Sequence, residues 1–144
     1  MDLGQLEVYE QPPKVAEYLA LRSQAGMNPR SEAGAEIALR NSYYAVTVYL
    51  QGELIGMGRV IGDGGCHMQV VDMAVRPDLQ RQGIGKMIFG RIVDYLKREA
   101  PDKTFVSLIA DGPADKLYRK FGFDYTQPEG QGMYMRIQSD RLVP

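Results

Sequence analysis

The chain has a single cysteine, Cys66, and a single histidine, His67. One cysteine excludes an internal disulfide and a cysteine-based zinc site, and no metal site is expected. No charge of one sign dominates: 17 Lys and Arg stand against 18 Asp and Glu, a formal net charge of −1. That balance, with no basic stripe, argues against a nucleic-acid partner or an anionic membrane surface. No run approaches the ~18 apolar residues of a membrane span. The start, Met1-Asp2-Leu3-Gly4, has neither the basic region nor the apolar core of a signal peptide, so a cytoplasmic protein is expected. Internal repeats and low-complexity segments are absent as well.

What is present suits one domain over 1–144. Apolar residues make up 44%, and a chain of this length buries roughly 70% of its unfolded surface. The stretch from Val70 to Lys86 organises the rest. An apolar strand, Val70 to Val75, turns at Pro77-Asp78 and enters the glycine-bearing loop Gln80-Arg81-Gln82-Gly83-Ile84-Gly85-Lys86. An amphipathic pattern follows, with Ile84, Ile88, Ile92 and Leu96 on one stripe. A strand feeding through Gly-x-Gly into a helix suits a phosphate. Glycine lets the backbone approach an anion, and the free N–H groups of the first helical turn point at it. Arg81 and Lys86 add two cations.

Two phosphate-binding patterns fail. The P-loop needs glycine where Gln80 stands and a hydroxyl where Met87 stands. The dinucleotide fingerprint needs a third glycine at the position of Ile88. The loop instead resembles the pyrophosphate loop of the GNAT N-acetyltransferase superfamily. That signature is Gln or Arg, two residues, Gly, one residue, then Gly or Ala, and Gln80 to Gly85 match it in full. Asp72-Met73-Ala74-Val75-Arg76-Pro77 matches the strand leading into it, and Leu117-Tyr118-Arg119-Lys120-Phe121-Gly122-Phe123 matches the family's second common motif. The resemblance covers nearly the whole chain and is weakest over the first forty residues.

Along the chain, Leu6–Glu10 reads as a short strand that Pro12-Pro13 stops. Lys14–Ala25 has helical spacing through Val15, Tyr18, Leu19 and Arg22, with Pro13 suited to the first turn. Ser31 can cap a second helix to about Asn41 with Ile37 and Leu39 apolar. Strands are expected over Tyr43–Leu50, Leu54–Ile61 and Cys66–Val75, an antiparallel meander. Gly56 and Gly58 inside the second strand suggest a bulge or a close backbone approach. The continuous apolar run Thr104–Ala110 suggests a strand at the centre of a sheet covered on both faces. A short helix then carries Ala114, Leu117 and Phe121 as its core stripe, with Gly122 as a left-handed cap. Phe123–Tyr125 and Met133–Ile137 read as a closing hairpin. Fold class is α/β (α+β), and the resemblance implies a GNAT fold, a mixed, mostly antiparallel central sheet flanked by about four helices.

The resemblance implies the chemistry too. Acetyl-CoA as cosubstrate, without a metal, would wedge between the strand ending at Val75 and the next one. Backbone groups of Met73, Ala74 and Val75 would bind its pantetheine arm, and Gln80, Arg81, Gln82, Gly83, Ile84, Gly85 and Lys86 would hold its pyrophosphate, mostly by N–H groups. An amine acceptor, favoured as a small metabolite over a protein, would attack the thioester directly. Tyr118 stands where the family has its proton donor to the leaving thiolate. The general base is open between Asp72 and His67, with Glu53 a further candidate, and Cys66 has no identifiable paired base. The asparagine often found after the central strand is missing, since Ala110-Asp111 stand there. A non-catalytic acyl-CoA-binding sensor or partner subunit is the alternative. Tyr43-Tyr44 and Met133-Tyr134-Met135 suit either a pocket or a homodimer interface.

Overall fold

The computed structural model describes residues 3–143. The chain divides into two compact units, one up to Leu108 and one from Ile109. The first is built on a five-stranded sheet of order β1-β2-β3-β4-β5. Its strands are β1 (Leu6–Tyr9), β2 (Tyr44–Leu50), β3 (Glu53–Gly62), β4 (His67–Val75) and β5 (Phe105–Leu108). Pairing is antiparallel from β1 to β4 and parallel between β4 and β5. This is the expected mixed, mostly antiparallel sheet.

Three helices belong to this unit: α1 (Val15–Gln24), α2 (Glu32–Arg40) and α3 (Ile84–Glu99). Glu17 caps α1 by accepting from the Lys14 N–H at 3.2 Å, which leaves Pro13 just before the cap instead of in the first turn. Ser31 caps α2 as expected, accepting from the Gly34 N–H at 3.0 Å. The helices cover opposite faces of the sheet. A Cβ on Gly56 or Gly58 would meet Ile84, Ile88 and Ile92 of α3. Met57, between those glycines, packs instead with Tyr18 and Leu21 of α1 and Ala35 and Leu39 of α2. Neighbouring strand residues point to opposite faces, so α3 lies on one side and α1 with α2 on the other.

The stripe expected on α3 is buried throughout: Ile84, Ile88, Ile92 and Leu96. On α1 the buried residues are Tyr18, Leu21 and Arg22, and on α2 they are Ala35 and Leu39, while Ile37 is exposed. The apolar run around β5 does not mark a central strand. β5 is the last strand of the sheet, and Phe105 is 57% exposed. A short apolar run carries no information about which neighbours a strand has.

The second unit holds α4 (Asp115–Lys120), preceded by a 3-10 turn at Gly112–Ala114, and a two-stranded sheet of β6 (Arg136–Gln138) and β7 (Arg141–Val143). Gly122 caps α4 at φ 104°. The N–H of Phe123 bonds the Tyr118 carbonyl and that of Gly122 the Arg119 carbonyl, a Schellman end. The buried residue of α4 is Tyr118, not the half-buried Ala114, Leu117 or Phe121. The closing hairpin is shifted toward the C-terminus. Phe123–Tyr125 forms no strand, and Ser139 and Asp140, both at positive φ, make the turn. Two positive-φ residues give the twist a two-residue hairpin needs. Among the described residues, no helix is long and apolar enough to cross a membrane.

Candidate active site

β4 is the strand on which the site is built. Its pairing with β5 runs from His67↔Phe105 to Val70↔Leu108 and stops. Beyond Val70 the strand continues to Val75 with β3 alone as its partner in the sheet. Among the described residues, no strand of the sheet pairs along the other edge of residues 71–75, the edge along which a ligand that bonds a backbone would lie. Met73, Ala74 and Val75 all lie on this stretch.

A bulge sits in the same stretch. Arg59 pairs with Val71 and Met57 with Ala74, so Asp72 and Met73 together oppose Gly58. Asp72 carries φ 59°. Aspartate is among the few non-glycine residues that tolerate the left-handed region. Gly58 faces the extra residue because a Cβ there would lie 2.6 Å from the Met73 sulfur.

After Val75 the chain enters the loop. The Gln80 side-chain amide donates to the Val75 carbonyl at 3.0 Å and ties the loop to the strand end. Arg81 takes φ 64°, and Gly83, at φ 87°, is the N-cap of α3. No side chain caps α3, and its first turn carries no acidic residue. The N–H groups of Ile84, Gly85 and Lys86 are thus left for an outside acceptor. Arg81, Gln82, Gly83 and Lys86 are exposed. Arg76 is engaged by Glu53 at 2.7 Å and Asp78 at 2.8 Å, whereas neither Arg81 nor Lys86 is in an ion pair among the described residues. The arrangement is an uncompensated positive end of a 16-residue helix beside two cations, and it fits a pyrophosphate.

The candidate bases lie in different places. His67 opens β4 with its side chain 77% exposed, beside Asp63 at 3.9 Å. Six residues of strand, about 20 Å, separate it from Met73. Glu53 is exposed and held by Arg76. Cys66 is an exposed free thiol next to His67. Asp72 alone is at the site, and it is buried in a network. One carboxylate oxygen accepts from Arg22 Nη1 at 2.5 Å. The other accepts from Arg59 Nε at 2.9 Å and from the Tyr18 hydroxyl at 2.8 Å. Both guanidinium carbons stand 5.7 Å from the Tyr18 ring centre.

Tyr118 lies on α4 in the second unit and is buried there. Burial, and secondarily the charge of Asp111, pushes its hydroxyl above the ordinary tyrosine value. The phenol is neutral at pH 7, the form a proton donor needs. Among the described residues no group of three or more His, Cys, Asp or Glu could hold a metal.

Sequence reasoning missed the partners of Asp72. A signal for them existed. Arg22 shares the core stripe of α1 with Tyr18, four residues before it, and Arg59 interrupts the apolar run of β3. A buried cation requires a carboxylate, and two of them should have pointed to Asp72.

A family model described as the Acetyltransferase (GNAT) family matches residues 9–123. A probable acetyltransferase from Staphylococcus aureus has a solved structure with a TM-score of 0.87 at 47% identity, covering 91% of this chain and 98% of that one. An uncharacterised N-acetyltransferase from Gracilaria tenuistipitata is 32% identical over 104 residues, 69% of this chain and 56% of that protein. A histone acetyltransferase from Glycine max is 29% identical over 143 residues, 91% of this chain and 58% of that protein. The chain thus spans little more than half the length of these curated relatives.

Proposed function

The chain belongs to the acetyltransferase (GNAT) family, an acyltransferase family, and from that premise we propose that it transfers the acetyl group of acetyl-CoA directly to a primary amine. The observation that carries this reading is the uncapped N-terminus of α3, with no acid in its first turn and Arg81 and Lys86 beside it. Gln80 to Lys86 bind the pyrophosphate. The open edge of Met73 to Val75 takes the pantetheine arm and, through a backbone N–H, the oxyanion of the tetrahedral intermediate. Side-chain identity matters little there, because the strand acts through its backbone. The matched span, 9–123, crosses the division at Leu108 and supports reading the chain as one domain.

The chemistry has two energetic demands. A simple alkylammonium with a pKa near ~10.4 costs about 4–5 kcal/mol to neutralise at pH 7. Desolvation and a base lower that cost. The leaving CoA thiolate also needs a proton, and we assign that donation to Tyr118, on its place in the family motif. The donors around Asp72 occupy both of its carboxylate oxygens, and His67 is a strand length away, so neither is assigned as the base. A small amine metabolite is the favoured acceptor.

Thermal melting with acetyl-CoA, CoA, ATP and NAD in parallel tests the cofactor. Ligand at 100 times its dissociation constant stabilises by about 2.7 kcal/mol, roughly 5–10 °C for a domain of this size. A shift with acetyl-CoA and CoA alone is expected, followed by an amine screen read by thiol release. No shift with either would end the proposal.

A further inference from the structure

Asp72 has more partners than a strand aspartate needs. Two buried guanidinium groups, Arg22 and Arg59, converge on its one carboxylate, with side-chain exposures of 4%, 5% and 8% for Arg22, Arg59 and Asp72. Each partner also holds something else. Arg22 Nη2 donates to the Asn28 carbonyl at 2.6 Å, in the link between α1 and α2. Arg59 Nη1 donates to the Ala38 carbonyl at 3.1 Å and to Ser42 Oγ at 2.8 Å, at the end of α2. Asp72 itself is the left-handed residue of the β4 bulge. One carboxylate therefore joins the bulge on the open strand edge to both helices on the same face of the sheet.

The bulge has a consequence for the backbone. N–H groups alternate between the two edges of a strand, and one extra residue shifts that alternation by one beyond it. Which of the N–H groups at Met73, Ala74 and Val75 turn away from β3, toward the edge that β5 has left, is thus decided at Asp72. Resting on the acetyl-transfer reading above, we infer that Asp72 is a positioning residue: clamped by Arg22 and Arg59, it holds the bulge that aims a backbone N–H of β4 at the thioester carbonyl. It takes no proton itself. The clamp also holds the link carrying Asn28 and the end of α2, so the bulge is tied to both helices.

A side chain that acts only on global stability would alter melting and leave the bound thioester as it was. The test uses acetyl-CoA labelled with 13C at the carbonyl, bound to the full chain and observed by NMR, which needs no acceptor. In the wild-type protein the carbonyl resonance moves downfield on binding, as a hydrogen-bonded carbonyl does. In Asp72→Asn it is expected to return toward its free position, while calorimetric CoA affinity stays within about threefold because the pyrophosphate loop is untouched. Arg59→Met is the second variant, since it removes one arginine and leaves the charge-balanced Arg22–Asp72 pair in place. It is expected to give the same change in smaller amount. An unchanged bound resonance in either folded variant overturns the inference, and so does a loss of CoA affinity of tenfold or more with the resonance unmoved. A wild-type protein that binds neither CoA nor acetyl-CoA brings down the acetyl-transfer reading and, with it, this one.

Discussion

Gly58→Ala perturbs the site at the point where sheet, bulge and helix meet. The new Cβ would lie 2.6 Å from Met73 Sδ, 2.8 Å from Ile92 Cδ1 and 3.1 Å from Ile88 Cγ2. The first two are closer than such atoms pack, and the third is tighter than an ordinary van der Waals contact. Met73 can swing its flexible end away, but Ile88 and Ile92 are fully buried in the face of α3 and have little space to yield. Overpacking of this kind costs about 1–3 kcal/mol, or roughly 3–10 °C in melting temperature for a domain of this size. Gly56→Ala is the internal comparison. Its closest contacts are 3.0 Å and 3.3 Å, so its loss should be the smaller one. The assay is urea denaturation of both variants, of Met73→Ala and of the double variant Gly58→Ala with Met73→Ala. Because Met73 supplies the closest atom, the double variant should cost less than the two single changes added, with a coupling of about 0.5–3 kcal/mol. An unchanged midpoint for Gly58→Ala, or strict additivity with Met73→Ala, would refute the close approach of the bulge and α3 to Gly58.

Gly83→Val should abolish CoA binding measured by calorimetry while the protein stays folded. Its Cβ would meet nothing within 4 Å, but φ 87° strains a β-branched residue, by about 1–2 kcal/mol, and the added methyl groups stand where the anion must approach. Tyr118→Phe should cut turnover sharply and keep CoA affinity, read by thiol release beside calorimetry, and full turnover would remove Tyr118 from the donor role. Burial, reinforced by a hydrogen bond to Glu17, pushes Tyr49 up to about 12. A folded-state pKa above the unfolded value of about 10 gives stability that is complete below pH 10 and lost as pH rises toward 12. Denaturation midpoints should therefore be flat from pH 8 to pH 9.5 and fall above about pH 10, and Tyr49→Phe should flatten part of that fall.

The glycine loop was legible because its pattern is local. Gly83 at positive φ, an uncapped helix and the stripe from Ile84 to Leu96 follow from residues within a few positions of one another. The same holds for the Ser31 cap and for Gly122, whose left-handed conformation ends α4. Gly58 was half legible. A glycine inside a strand announces a bulge or a close approach, and here both occur, but the sequence does not say that the bulge lies across the ladder on β4. The place of β5 was not legible, since an apolar run has the same composition at the edge of a sheet as at its centre. Nor was the pairing at the C-terminus. There Ser139 and Asp140, neither a glycine nor an asparagine, form the turn, C-terminal to the hairpin expected between Phe123 and Ile137.

Asp72 admits two uses, as a base or as the centre of a buried charge network. A carboxylate one position before Met73, where the proposed cosubstrate-binding segment begins, has the right chemistry for a base, and spacing alone offers no other use for it. What decides between the two uses is the company it keeps, and that company comes from 13 and 50 positions away, from Arg59 and Arg22. Each arginine is an anomaly where it stands: one in an apolar strand, one on the buried stripe of a helix. Each anomaly has the same resolution. Removing a single partner from a buried charge cluster of this kind costs about 3–5 kcal/mol where it leaves a charge uncompensated, so the three side chains act as a unit. Hydrophobic side chains could fill this space, but they would not hold an aspartate in the left-handed conformation opposite Gly58. The bulge needs a directional tether, two arginines from different elements provide it, and the backbone of Met73 to Val75 is presented as a consequence.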